Sequence, residues 1–117
     1  MAGSMSLPPT QDFEYYVGDT GGFSIDVNND GAEPYDMTGF TAKFVIADSQ
    51  SLTPAWSVLG DAQIVGSSIF CTILPAVGNQ FGNRQIVYYD VEITDGTLVQ
   101  TVLRGSIKLT VGVNEVA

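Results

Sequence analysis

Residues 86–111 read IVYYDVEITDGTLVQTVLRGSIKLTV, and this stretch decides the fold class. Val87, Tyr89, Val91 and Ile93 share one parity, and Tyr88, Asp90 and Glu92 share the other. A period of two is the pattern of a strand with one face on a core and one in water. Asp95-Gly96 then supplies a pair tolerant of the positive φ that tight hairpins need. Beyond it Val99, Leu103, Ile107, Leu109 and Val111 continue the inward parity, with a bulge expected at Gly105, so a long antiparallel hairpin is predicted.

The same alternation recurs upstream. Phe23, Ile25 and Val27 alternate with Ser24, Asp26 and Asn28, and Phe40, Ala42, Phe44 and Ile46 share a parity within a second long strand. Residues 12–17 form a short aromatic strand ending at Gly18-Asp19, and residues 55–59 and 62–65 are two shorter extended pieces around Gly60-Asp61. In residues 68–74 both parities are apolar, which predicts a strand buried on both faces. Residues 75–81 hold one helical turn, because proline suits a first helical position and Gly82-Asn83 ends it. About seven short strands with regular turn signals predict an all-β fold, an antiparallel immunoglobulin-like β-sandwich. Residues 1–10 are read as a tag remnant and flexible lead, 11–114 as a single domain and 115–117 as a tail.

Composition excludes several function classes. The chain has 117 residues, thirteen acidic and four basic, for a net charge of −9. Such a surface repels polyanions, so nucleic acid is not expected as a partner. With no histidine, the commonest general base and transition-metal ligand are both missing. One cysteine, Cys71, excludes an internal disulfide, and a reducing compartment is the default. No apolar run reaches the ~18 residues that span a bilayer, so no membrane is expected as a partner.

Each candidate for chemistry has a plainer structural reading. Asp26-Val27-Asn28-Asn29-Asp30-Gly31 matches the first half of an EF-hand loop, but Met37 stands where the bidentate glutamate belongs, so a turn is favoured and no metal is expected. Asp90 and Glu92 are a conceivable acid/base pair, read instead as solvated carboxylates. Cys71, with no cation or histidine near it in sequence, reads as a buried thiol. No enzyme activity and no cofactor are expected. Tyr15, Tyr16, Tyr35, Trp56 and Tyr88 are the candidate interface residues, because exposed aromatic rings anchor protein contacts or stack on sugars.

Four motifs stand in order: Val17-Gly18-Asp19-Thr20; then Asp36-Met37-Thr38-Gly39-Phe40 running on to Phe44; then Tyr88-Tyr89-Asp90-Val91-Glu92; then Leu103-Arg104-Gly105. The chain thereby resembles the family of N-terminal domains of phage baseplate upper proteins, over about residues 15–113. Ala76-Val77-Gly78-Asn79-Gln80-Phe81 departs from the polar helical turn usual there. The resemblance implies a structural component of a phage tail or baseplate, located in the virion and docked on other virion subunits. The surplus of apolar and aromatic residues over what one thin core consumes, together with the closed rings in which phage fibres and spikes are built, makes a homo-oligomer, for example a trimer, plausible. A carbohydrate-binding or adhesin module on a phage tail is the alternative.

Overall fold

The structure is a computed structural model and describes residues 9–28 and 34–111, with Val111 described in its backbone alone. It is all-β: β1 (Phe13–Val17), β2 (Gly21–Asp26), β3 (Thr41–Ala47), β4 (Ser57–Val65), β5 (Ser68–Ile73), β6 (Ile86–Thr94) and β7 (Val99–Val111). A single helical turn, α1 (Pro75–Gly78), continues into a 3-10 turn at Asn79–Phe81 and stops at Gly82, φ 65°. The seven strands follow one hydrogen-bonded order, β1-β7-β6-β3-β4-β5-β2, nearly closed into a barrel. The two strands at its ends, β1 and β2, are neighbours in sequence, joined across a turn at Gly18 in which the Asp19 amide donates to the Tyr16 carbonyl at 3.1 Å.

The expectation of a wholly antiparallel sheet is corrected at one pair, for β1 runs parallel to β7. Short hairpin connections force neighbouring strands to be antiparallel. No short connection links β1 to β7, so that constraint is absent. Ahead of β1 the Gln11 amide donates to the Arg104 carbonyl at 2.9 Å. The Asp12 carboxylate then takes hydrogen bonds from the Ser106 amide and hydroxyl, each at 3.0 Å.

The core follows the predicted parities closely. Phe44, Ile46, Ile69, Val87, Val91 and Ile93 are fully buried, and Tyr89 nearly so. At the seam between β1 and β2, Phe13 stacks on Phe23 at 4.4 Å between ring centroids, and both rings lean on Tyr89. Offset and edge-on ring pairs of this kind add stability beyond the area they bury. Phe81, also fully buried, plugs one end of the core against Tyr15 and Trp56.

Four readings are corrected. The irregularity in the hairpin lies opposite Val91/Glu92, where Leu103 and Thr101 are the partners and Val102 is the extra residue; Gly105 pairs regularly with Tyr89. The bulge reverses the parity of what precedes it, so Val99 points outward and is 59% exposed. Gly105 is required for another reason: a Cβ there would collide with the Gln11 carbonyl, which accepts the Tyr89 hydroxyl at 2.6 Å. The two pieces around Gly60-Asp61 are one strand, β4, whose first half pairs with β3 and whose second half pairs with β5. Lastly, β5 is buried on one face only, since Phe70 and Leu74 are exposed. The turn expected at Asn28-Asn29-Asp30-Gly31 lies, from Asn29 onward, outside the described residues.

Candidate functional site

Strand register assembles a face that no single stretch of sequence shows. On the outer side of β4, β3, β6, β7 and β1, Leu59 lies opposite Val45, Ala47 opposite Tyr88, and Ile86 two residues along β6 from Tyr88. Residues directly opposite on one face have Cβ atoms ~5 Å apart, and diagonal neighbours remain within reach of long side chains. Leu59, Val45, Tyr88 and Ile86 therefore form a diagonal apolar stripe, with Ala47 between them buried at 7% exposure and Tyr16 beyond it at the β1 edge. Leu59 is 58% exposed, Tyr16 54% and Ile86 44%, while Tyr88 and Val45 are half-buried.

Charges flank the stripe in pairs. Arg104 approaches Asp90 at 3.6 Å and Lys108 approaches Glu14 at 4.0 Å. Lys43 stands opposite Glu92 in the β3–β6 register. These pairs are solvated, so each contributes little to stability; Asp61, outward on β4 like Leu59, and Asp12, bonded to the Ser106 hydroxyl, add two further carboxylates to this face. Asp90 and Glu92 lie on this open face, and Asp90 is engaged by Arg104.

The five candidate aromatic residues separate. Tyr16 and Tyr88 reach the outer face. Tyr15 does not, because strand parity turns it inward: it is 5% exposed, its hydroxyl donates to the Asp19 carbonyl at 2.6 Å, and Gly78 packs directly on its ring. Tyr35 packs edge-on against Phe40 at 6.0 Å. Trp56 meets Phe81 edge-on at 5.9 Å and carries the Arg84 guanidinium over its ring at 4.1 Å. That cation occupies a face on which a sugar would have to stack. Leu59, Val45 and Ile86 were missed by sequence reading; the odd parity of residues 57–65 would have exposed Leu59 had Gly60 not been read as a break.

Among the described residues, no group of three or more Cys, Asp or Glu is placed to hold a metal ion, and no helix is long and apolar enough to cross a membrane. Asp26 of the calcium-like motif accepts a hydrogen bond from the Ser68 hydroxyl at 2.7 Å. Cys71 is 1% exposed, and burial pushes its thiol up to about 12. Asp95 is held below the ordinary carboxylate range by the backbone amides of Leu98 and Thr97. A cavity of about 50 Å³ lies at the seam, lined in part by Tyr15, Gly21, Gly22 and Ile73. Small-molecule sites run to about 300–1,000 Å³.

No protein-family model matches the chain, and no curated protein matches it either.

Proposed function

We propose that this chain is a structural domain of a phage particle, a tail or baseplate component that works by protein–protein contact. The observation that carries the reading is the apolar stripe on an otherwise polar sheet face. Exposed apolar surface collected into a patch, not scattered singly, is what a docking surface requires. The ordered motifs from Val17-Gly18-Asp19 to Leu103-Arg104-Gly105 support the same assignment through their resemblance to the baseplate upper protein family. On this reading the fold is an immunoglobulin-like sandwich, with β4 passing from one sheet to the other at Gly60, and the domain docks without cofactor or catalysis. The net charge of −9 keeps free subunits soluble before assembly.

The test is mass spectrometry of gradient-purified particles of the phage that encodes the chain. The expected result is the chain present in fixed, repeated stoichiometry. Its absence from particles would overturn the reading, as would saturable binding on a glycan array that a Tyr16→Ala, Tyr88→Ala double variant abolishes.

A further inference from the structure

We infer that the turn between β6 and β7 is a chemical lock, holding the Asp95–Gly96 bond out of the ring closure that converts aspartate to isoaspartate. Aspartate followed by glycine is the linkage most open to that reaction, because glycine has no side chain to keep the incoming carbon from its nitrogen. The chain has two such linkages, Asp30–Gly31 and Asp95–Gly96, and the second lies within the described residues. Residues 95–99 are all exposed to water, so burial does not protect it.

The reaction needs no co-reactant except water. The Gly96 nitrogen bonds to the Asp95 carboxyl carbon, one C–O bond of the carboxyl group breaks, and that oxygen leaves as water with the amide proton and the acid proton. Water then adds to one carbonyl of the five-membered imide and breaks its bond to nitrogen. Addition at the side-chain carbonyl restores aspartate. Addition at the main-chain carbonyl leaves the backbone running through the side chain, one methylene longer.

The turn opposes the first step in two ways. In the imide the carboxyl carbon takes the place of the departed amide hydrogen, coplanar with the peptide. Here that hydrogen points at the Thr94 hydroxyl, with the Gly96 nitrogen 3.1 Å from Thr94 Oγ1. The Asp95 carboxylate is anchored instead on the C-terminal side of the turn, where Oδ1 accepts the Thr97 amide at 2.9 Å and the Leu98 amide at 2.8 Å. Closure therefore requires the carboxyl group and the peptide plane to rotate against these bonds. The leaving oxygen must also be protonated, and the Leu98 and Thr97 amides favour the ionised carboxylate. Isoaspartate would lengthen the turn and take the acceptor away from Thr97 and Leu98, so the lock preserves the hairpin.

Ageing tests the inference. The folded chain and a synthetic peptide of residues 91–100 are held for several weeks at mildly acidic pH and physiological temperature. Aspartate and isoaspartate at position 95 are then resolved by liquid chromatography with electron-transfer fragmentation, the fragment that holds Asp30 being scored apart. Isoaspartate at Asp95 should form about tenfold or more slowly in the folded chain than in the peptide, because the reaction waits on local opening. Asp95→Asn keeps Oδ1 as an acceptor and removes the ionisation. Its deamidation, read as a gain in mass, should again be about tenfold or more slower in the folded chain than in the matching peptide. Isomerisation of Asp95 at the peptide's rate would overturn the inference. So would deamidation of the folded Asp95→Asn variant at its peptide's rate, since ionisation alone would then be the protection. Should that variant fail to fold by circular dichroism, the unaltered chain carries the test.

Discussion

Gly60 shows what one missing side chain decides. A Cβ at this position would lie 2.5 Å and 2.9 Å from atoms of the Phe44 ring and 3.2 Å from the Thr72 carbonyl oxygen. Phe44 is fully buried beneath it, and β4 changes partner at this point. Gly60→Ala should therefore lower stability by roughly 2 kcal/mol, the ordinary cost of overpacking a filled core, read as a lower urea midpoint. Cys71 and Tyr89 give a second prediction. Burial raises both above their ordinary values, Cys71 to about 12 from 9.0. The neutral forms are favoured by the fold, so their contribution is intact below about pH 9 and is lost as pH rises through the folded value. Between pH 9 and 12 stability should fall by at most about 1.4 kcal/mol per pH unit from each group. Urea midpoints across that range should slope less steeply in Cys71→Ala, and an unchanged slope would refute the assignment.

At the scale of elements, β1 is held both by its five-residue ladder and by what precedes it. Asp12 caps the Ser106 amide and hydroxyl, and the Gln11 carbonyl takes the Tyr89 hydroxyl. Edge strands open first, so their attachments govern local unfolding. Asp12→Ala should cost about 1 kcal/mol, and hydrogen exchange at the β1 and Ser106 amides should accelerate more than at β3 or β6. Equal acceleration everywhere would show that β1 does not open independently. The β6–β7 hairpin carries its own lesson. Its turn at Asp95-Gly96 was legible in sequence because Asp95 and a glycine at φ 100° are local chemistry. The bulge at Val102 was not, since Thr101 and Val102 differ from their neighbours in nothing but what stands opposite them.

For the molecule as a whole, charge and closure matter most. Thirteen acidic residues against four basic ones give the small domain a net repulsion, and such repulsion weakens the compact state. Raising NaCl from 0.01 M to 0.5 M should therefore raise the thermal midpoint, followed by Trp56 fluorescence. A midpoint that falls with salt would mean that the Arg104–Asp90 and Lys108–Glu14 pairs outweigh the repulsion.

Class and most of the inward residues were determined by the sequence alone, because alternation of apolar and polar side chains is a local property that burial must obey. Phe44, Val87, Tyr89 and Ile107 could be read as core before any strand was paired. The tertiary structure decided which strands are neighbours, the parallel β1–β7 pair, and the continuity of β4 through Gly60. It decided the outer stripe for the same reason. Leu59, Val45, Tyr88 and Ile86 come from three strands, and only register, fixed by long-range hydrogen bonds and packing, brings them side by side.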